Sequence, residues 1–328
     1  MTSHAIRQYE FGSAEVLKFE ETPAPVPGPG QVRIAVAASG VHLLDTKIRA
    51  GEAGGPFPVP ALPMTPGREV AGVVDVLGAD VDQAWLGRRV VAHLGAASGG
   101  YAERAVANVS SLHEIPEGAG FEAAVAMIGT GRTTLAVLEV AALRADDVVL
   151  VSAAAGGMGA LLVQAARNVG AFVVALAGGP EKVEAVRGLG ADVVVDYRVD
   201  GWSEQVRQGL GDRELTVYFD SVGGKPGREA FDLLGVGGRV VMFGYSSGES
   251  LALSAEDLWA RSLTATVAIG PRVLRQPGGL RRLETESLAA LAKGQLVPLT
   301  QAFPLAEAAR AHNALETRGT VGKVVLVS

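Results

Sequence analysis

The chain lacks cysteine altogether, since none occurs among its 328 residues. Without a thiol, a protein forms no disulfide bond, uses no thiolate nucleophile and holds no zinc ion through cysteine ligands. The sequence therefore excludes disulfide-rich scaffolds, cysteine-dependent enzymes and every cysteine-bound zinc site, structural or catalytic.

An excess of basic residues is also missing. The 29 Lys and Arg are outnumbered by 35 Asp and Glu, which gives a formal net charge of -6. A nucleic-acid surface needs clustered cations, and the one dense basic cluster, Arg272 to Arg282, is broken by Pro277, Gly278 and Gly279. We therefore expect no nucleic-acid partner and interpret that cluster as a solvated loop.

Long apolar runs and targeting signals are absent as well. Met1 to Phe11 has no basic stretch followed by an apolar run, and apolar runs elsewhere are far shorter than about 20 residues. We expect a cytoplasmic protein with no membrane span.

The residues that are present indicate two domains. Length favours two domains, because single cores seldom grow beyond about 250–300 residues. Up to about residue 120, short β-like runs such as Val32–Ala37 and Val70–Val76 alternate with Pro- and Gly-rich turns. Pro23 to Pro29 is predicted to be an extended connection. This part is predicted to be a small β-rich domain.

After Pro116 the sequence changes to alternating helical and strand-like segments. Helical composition covers 121–126 and 133–142, and alternation then begins at residue 148. Candidate strands are 148–152, 172–176, 193–196, 215–219 and 239–243, with an edge strand at 263–269. Candidate helices are 158–169, 180–188, 202–209 and 227–234, followed by helices around 287–292 and 305–315 and a final strand 323–327. This alternation predicts an α/β fold with a doubly wound parallel sheet; we expect the tail to pack back on the first domain.

The strongest local signal is a glycine-containing turn between a buried strand and a helix, residues 148–166. Gly156 lets the backbone approach phosphates, and Gly159 lets the helix lie close to the strand. Ala154 occupies the place of the first glycine in G-x-G-x-x-G. The helix N-terminus would bind a pyrophosphate. The alternative is a tight turn in an unrelated α/β protein.

The end of the next strand favours NADPH over NADH. NAD sites usually place a carboxylate there to bind the ribose hydroxyls. Residues 176–180 contain none, and Lys182 follows, so a 2′-phosphate would meet a cation. The alternative for Lys182 is an ordinary exposed helix lysine.

Several blocks of the sequence resemble the zinc-free, zeta-crystallin-like quinone oxidoreductases of the medium-chain dehydrogenase/reductase superfamily. Residues 153–159 look like the signature A-A-x-G-G-x-G. Further similar blocks are 66–74, 99–103, 220–223, 243–247 and 322–326. The resemblance spans nearly the whole chain.

The resemblance implies a GroES-like catalytic domain (1–122 with 271–328), a Rossmann NADPH-binding domain (123–270), and a homodimer formed through the edge at Leu263 to Ile269. It places Lys182, Tyr197 and Arg318 around the 2′-phosphate of NADPH. The implied cofactor-binding residues are Thr133, Ala155, Gly156, Gly157, Met158, Gly178, Lys182, Tyr197, Ser221, Phe243, Gly244, Tyr245, Ser246, Arg318 and Lys323.

The zinc-dependent branch of the superfamily has a Cys in G-x-C-x-x-D and a His in G-H-E. Here the matching residues are His42 and Arg68, so we predict no metal. Many relatives have Asn at position 42, and His42 could donate a hydrogen bond or a proton. The alternative is a loop histidine bonded to a backbone carbonyl. Asp45 and Arg49 are interpreted as a mutual ion pair that fixes the loop.

Without a metal, the easiest hydride acceptors are electron-poor: quinones, or the C=C bond of an α,β-unsaturated carbonyl compound. We predict an NADPH-dependent reductase of this type, with His42 and Tyr245 as the catalytic candidates; Tyr245 could instead only pack against the nicotinamide pocket. The alternative is an NADPH-binding sensor or a structural or RNA-binding protein with little turnover.

Overall fold

The computed structural model describes residues 2–52, 59–95, 98–275 and 278–328. Its contacts divide the chain into two compact units. Unit 1 comprises Met1–Thr130, Glu284–Gly294 and Pro298–Ser328, and unit 2 comprises Gly131–Leu283 and Gln295–Val297. The predicted domain ranges stay a prediction.

The described strands and helices have the following bounds. The strands are β1 Thr2–Gln8, β2 Leu17–Pro23, β3 Gln31–Val41, β4 Glu69–Leu77, β5 Arg89–His93, β6 Arg104–Asn108, β7 Leu112–Glu114, β8 Val148–Val151, β9 Phe172–Ala177, β10 Val193–Asp196, β11 Leu215–Asp220, β12 Leu234–Met242, β13 Thr264–Val267, β14 Thr300–Pro304 and β15 Lys323–Val327. The helices are α1 Leu43–Ala50, α2 Phe121–Ala126, α3 Arg132–Ala141, α4 Gly157–Asn168, α5 Pro180–Gly188, α6 Trp202–Leu210, α7 Gly224–Phe231, α8 Ala255–Arg261, α9 Pro271–Leu274, α10 Gly279–Ala292 and α11 Ala308–Glu316. A π-helical turn, Met127–Gly131, lies between α2 and α3.

Unit 1 is built on a seven-stranded sheet in the order β14-β15-β3-β4-β5-β7, with β6 also paired to β3. Alternate residues of β3, Val32, Ile34 and Val36, point into one apolar core, as the period of a strand requires. The C-terminal strand β15 pairs antiparallel with β3, which confirms that the tail packs back on the first part of the chain. Pro23 to Pro29 joins β2 to β3 without a helix, as predicted.

Unit 2 contains a six-stranded parallel sheet in the order β10-β9-β8-β11-β12-β13. Successive residues of β8 face opposite sides: Val149 and Val151 belong to one apolar cluster, Val148 and Leu150 to the other. Apolar side chains on both faces are expected of a parallel sheet covered by helices on both sides. This is the predicted doubly wound sheet, and β13 is its predicted edge strand.

Several predicted helices, among them the following two, have different bounds in the structure. The helix predicted at 227–234 is α7, which begins at Gly224 and ends at Phe231. Gly223 and Gly224 both have positive φ angles, 64° and 54°, so the tight turn falls before the helix and not within it. Leu234 already pairs with Leu215 in the sheet. The helix predicted around 287–292 begins earlier, at Gly279.

One described helical stretch, Phe121–Ala141, is long and apolar enough to cross a membrane by length and composition alone. Of its most apolar part, 61% is buried inside the protein, as in the core helix of a soluble protein. Gly, Thr and Arg residues interrupt this stretch, so the sequence shows no continuous apolar run there. The absence of a membrane span and the cytoplasmic location stay predictions.

Candidate functional site

The glycine-containing turn of unit 2 joins β8 to α4. Ala153 adopts the left-handed conformation, with φ 46°, and the N–H of Ala154 donates to Leu176 O at 2.9 Å, which ties the turn to β9. A Cβ at Gly159 would overlap the carbonyl oxygen of Ala153, so only glycine lets α4 start this close to the turn. The first N–H groups of a helix have no partner within it and attract anions. Ala155, Gly156, Gly157 and Met158 lie at this helix start, which fits a pyrophosphate.

Two neighbouring loops at the carboxyl ends of β11 and β12 are held together by backbone hydrogen bonds. Phe243 N donates to Asp220 O at 2.9 Å, and Ser246 N donates to Ser221 O at 3.0 Å. Ser152 Oγ accepts from Ser221 N at 3.1 Å, which links these loops to the end of β8. The structure thus brings Ser221, Phe243, Gly244 and Ser246 together with the glycine turn.

A second group of predicted residues meets at the carboxyl end of β9. The hydroxyl of Tyr197 lies over Gly178, where a Cβ would be only 2.7 Å from it. Lys182 lies in the first turn of α5, the helix that begins at Pro180. Gly178 and Tyr197 therefore lie together, with Lys182 on the helix that follows, and their role around a 2′-phosphate stays a prediction.

Arg198 was not among the predicted residues, yet its guanidinium lies beside Gly179. A Cβ at Gly179 would overlap Nη2 of Arg198, and Gly179 has a φ of 102° that favours glycine. Arg198 also pairs loosely with Asp196, Nε to Oδ1 3.7 Å, and its side chain is 58% exposed. The sequence contains one signal for Arg198, because this residue directly follows the predicted residue Tyr197. Neither the glycine turn nor the blocks that resemble the family include Arg198.

In unit 1, His42 is the N-cap residue between β3 and α1. Its Nε2 lies 2.5 Å from Oε1 of Glu69, and 29% of its side chain is exposed. The other carboxylate oxygen of Glu69 lies 2.9 Å from Nζ of Lys323. His42, Glu69 and Lys323 thus form a connected charged cluster.

Glu69 is completely buried. Burial alone would raise its pKa, but attraction to His42 and Lys323 outweighs this effect and holds the pKa of Glu69 well below its ordinary value. The carboxylate is also confined, since a Cβ at either Gly40 or Gly129 would overlap it. Glu69 is therefore an ionised group fixed in one place.

Asp45 and Arg49 do not form the predicted mutual ion pair. Asp45 pairs with Arg68 at 3.1 Å, and Arg49 pairs with Glu316 at 2.6 Å. Both residues lie on α1, but their side chains contact different partners. Their spacing along the sequence did not predict these partners. Burial opposes ionisation of Asp45, yet attraction to His42 and Arg68 lowers its pKa.

A buried histidine extends this polar network. His312 is fully buried, with Nδ1 3.3 Å from Nη1 of Arg49 and Nε2 3.2 Å from the Tyr101 hydroxyl. Burial lowers the pKa of His312 to about 4, so the ring is neutral at pH 7. A guanidinium only donates, so Nδ1 accepts and Nε2 carries the hydrogen. Tyr101, whose pKa burial raises well above 10, in turn donates to Asp45 at 3.2 Å.

Comparison with known proteins agrees with these two architectures. A family model described as alcohol dehydrogenase GroES-like domain matches residues 28–117, and one described as zinc-binding dehydrogenase matches 157–283. Quinone oxidoreductase of Pseudomonas aeruginosa is 32% identical over 320 residues, which cover 97% of each chain. The chain belongs to the quinone oxidoreductase family of the medium-chain dehydrogenase/reductase superfamily.

Other relatives in this family carry more specific descriptions. A 2-haloacrylate reductase of Burkholderia is 31% identical over 328 residues, covering 97% of each chain. The structure of Escherichia coli quinone oxidoreductase complexed with NADPH superposes with a TM-score of 0.85 at 28% identity, covering 100% of both chains. This chain is thus a member of an oxidoreductase family with an NADPH-complexed structural relative.

The remaining predicted residues of this quinone oxidoreductase family member lie as follows. Tyr245 is 62% exposed on the loop after β12, and Thr133 is in the first turn of α3. Arg318, with φ 58°, follows α11 in unit 1. Lys323 is buried against Glu69 in unit 1. The catalytic and cofactor roles given to these four residues stay predictions.

Metal ligation was predicted to be absent in this member. Among the residues the structure describes, no group of three or more His, Asp or Glu side chains is placed to hold a metal ion. His42 stands where the zinc-dependent branch has its cysteine, and it contacts Glu69. The absence of a metal stays a prediction.

Proposed function

We propose that this protein is an NADPH-dependent reductase of quinones or of the C=C bond of α,β-unsaturated carbonyl compounds, acting without zinc. The observation that carries the proposal is His42, a partly exposed imidazole held against a buried carboxylate. An imidazole in such a pair can donate a hydrogen bond or a proton to a substrate. Reducing a conjugated C=C bond requires one proton in addition to a hydride.

The residues of unit 2 fit the cofactor. The start of α4 would hold the pyrophosphate, and Lys182, Tyr197 and Arg198 around Gly178 would hold the 2′-phosphate, which needs cations and hydroxyl donors. NADPH, when bound, supplies the hydride. Ser221, Phe243, Gly244 and Ser246 would line the nicotinamide end, with Tyr245 next to them.

His42 supplies the proton. An enone that has gained a hydride at its β-carbon becomes an enolate, and imidazolium at position 42 transfers a proton to it and becomes neutral. A proton taken up from the solvent then restores the imidazolium, so that each turnover consumes one solvent proton. The Burkholderia relative supports a substrate of this kind, because a 2-haloacrylate has a C=C bond beside its carboxylate.

A panel of acceptors tests the proposal. We would follow NADPH and NADH absorbance with ortho- and para-quinones, cyclic enones and enoyl thioesters, using protein freed of metal by chelation. We expect NADPH-dependent turnover, and a decrease in kcat of about 100-fold for His42→Ala with cyclic enones. Tight NADPH binding with no turnover on any acceptor would instead favour the sensor or structural alternative.

Cofactor preference tests the 2′-phosphate group separately. We expect Lys182→Ala and Arg198→Ala each to reduce the ratio of NADPH to NADH affinity about tenfold, because each removes a cation from a doubly charged phosphate. Arg207→Ala is the control, since Arg207 is an exposed arginine of α6 paired with Glu204. An unchanged ratio in both variants would contradict the assignment.

We also propose that the protein forms a homodimer through the β13 edge of its parallel sheet. The support is the position of β13 at the end of the strand order, with Val267 60% exposed and, on α8, Trp259 84% exposed. An open edge with exposed apolar residues is a template for pairing. Sedimentation velocity should show a dimer for the wild type and a monomer for Val267→Lys; a monomeric wild type would refute it.

A further inference from the structure

The two ring nitrogens of His42 have different surroundings, because only Nε2 contacts Glu69. Nε2 lies 2.5 Å from Oε1 of Glu69. An ionised carboxylate has only acceptor sites, and the lowered pKa of Glu69 keeps it ionised. Nε2 must therefore carry a hydrogen, and in the neutral ring Nδ1 is the nitrogen that carries none.

The carboxylate cannot leave this position easily. Its second oxygen is 2.9 Å from the buried ammonium of Lys323, and Gly40 and Gly129 leave no room for even a Cβ beside it. A confined, ionised carboxylate fixes both the orientation and the tautomer of the ring, because the ring loses its close contact with this oxygen if it flips.

We propose that Glu69 is a positioning residue that fixes His42 as the Nε2–H tautomer, so that Nδ1 is the atom that delivers the proton. Lys323 keeps the Glu69 carboxylate in place. This inference rests on the proposed function only for the fate of the proton. In that step, the Nδ1–H bond of the imidazolium breaks, the proton joins the enolate, and the electron pair stays on Nδ1 while Nε2 keeps its hydrogen beside Glu69.

Two other histidines of unit 1 serve as controls for this proposal. His113 also faces a carboxylate through Nε2, 3.1 Å from Oε2 of Glu284, and both side chains are buried. Glu284→Gln therefore disturbs a similar pair outside the proposed site. His312, with its own fixed Nε2–H, serves as a second reference in the same spectrum.

The first measurement is the tautomer of His42, which needs no turnover. Nitrogen-15 NMR of cofactor-free, histidine-labelled protein at about pH 8 distinguishes protonated from unprotonated ring nitrogens, and His42→Asn assigns the signals among the five histidines. We expect Nε2–H alone in the wild type. In the double variant Glu69→Gln/Lys323→Met, which loses both charges together, we expect mixed tautomers, because a carboxamide can donate as well as accept.

The second measurement is turnover by the same proteins. In the double variant we expect kcat to fall by about 10- to 100-fold with little change in KM, and the Glu284→Gln control to keep the wild-type kcat. Gly129→Ala retains every charge but displaces the carboxylate, so it should also lower kcat. It covers the case in which the double variant does not fold.

The outcomes separate this inference from the proposed function. A single Nε2–H tautomer in the double variant, or in Gly129→Ala, with kcat within twofold of the wild type would overturn the positioning role. A tautomer change in a protein whose wild type reduces none of the acceptors would support the role of Glu69 and contradict the reductase proposal.

Discussion

The two units differ in how many ionisable side chains they bury. In the described part of unit 2, the buried ionisable side chains of Asp, Glu, His, Lys and Arg are Asp147 and Asp220, and the glycine turn proposed to hold the pyrophosphate consists largely of backbone. Unit 1 buries many more, namely Arg33, Asp45, Arg49, Glu69, His113, Glu284, His312 and Lys323. All five histidines also lie in unit 1. Unit 1 should therefore be far more sensitive to charge removal and to pH than unit 2.

The largest expected effect comes from breaking the buried ion pair of unit 1. Lys323→Met leaves Glu69 ionised and without its ammonium, which should destabilise unit 1 by about 3–5 kcal/mol. The double variant Glu69→Gln/Lys323→Met should recover part of this loss. Hydrogen exchange measured by mass spectrometry follows each unit separately.

The matched change in unit 2 is Arg239→Met. Arg239 pairs with Asp147 at 2.6 Å, but 28% of its side chain is exposed, so we expect a cost of only about 1 kcal/mol. If Arg239→Met destabilised unit 2 as much as Lys323→Met destabilises unit 1, the contrast between the units would be wrong.

A second effect concerns acid. The pKa of His312 is about 4 in the folded protein and about 6.5 when unfolded, so the unfolded state binds the proton first as the pH falls. The stabilising effect of neutral His312 is complete above pH 6.5 and is lost progressively between pH 6.5 and 4, by roughly 3 kcal/mol. Urea unfolding at several pH values measures this loss.

His312→Asn is the control for the acid effect. The Asn carbonyl can still accept from Arg49 but does not titrate in this range. We expect the variant to be less stable at pH 8 and its stability to depend less on pH between 6.5 and 4. Equal pH dependence in the variant and the wild type would assign the acid loss to other groups.

The last effect concerns the glycine turn between β8 and α4 of unit 2. Gly159→Ala forces α4 away from Ala153 and should weaken NADPH binding by at least tenfold, about 1.4 kcal/mol. Gly188→Ala, at the end of α5 where a Cβ meets nothing within 4 Å, should leave binding unchanged and stabilise the helix by up to about 1 kcal/mol. Calorimetric titration with NADPH compares the two; equal binding would remove the requirement for glycine at 159.

Sequence patterns predicted strands and helices best where a single hydrophobic periodicity determines the local structure. The strands of unit 2 are short buried runs, and the predicted strand 193–196 and helix 180–188 have the bounds found for β10 and α5. The pattern failed at α7, because Gly223 and Gly224 can form either a loop or a helix start. The glycine turn was recognisable because strand, small residues and helix follow one another directly.

The side-chain cluster of unit 1 could be predicted only in part. His42 stood out because it replaces a cysteine or an asparagine, but its contact with Glu69 and Lys323 depends on strand pairing across the whole chain. Arg49 was assigned the wrong partner because Glu316, which binds it, lies on the distant helix α11. Spacing along one helix carries no information about such contacts.

The confined carboxylate of Glu69 has an evolutionary consequence. A side chain at position 40 or 129 overlaps it, so replacing either glycine displaces the carboxylate unless position 69 has first acquired a shorter residue. Once that has happened and a larger residue has filled the space, glutamate cannot return directly. We therefore expect substitutions at these three positions, which lie far apart in the sequence, to depend on one another and on the order in which they occur.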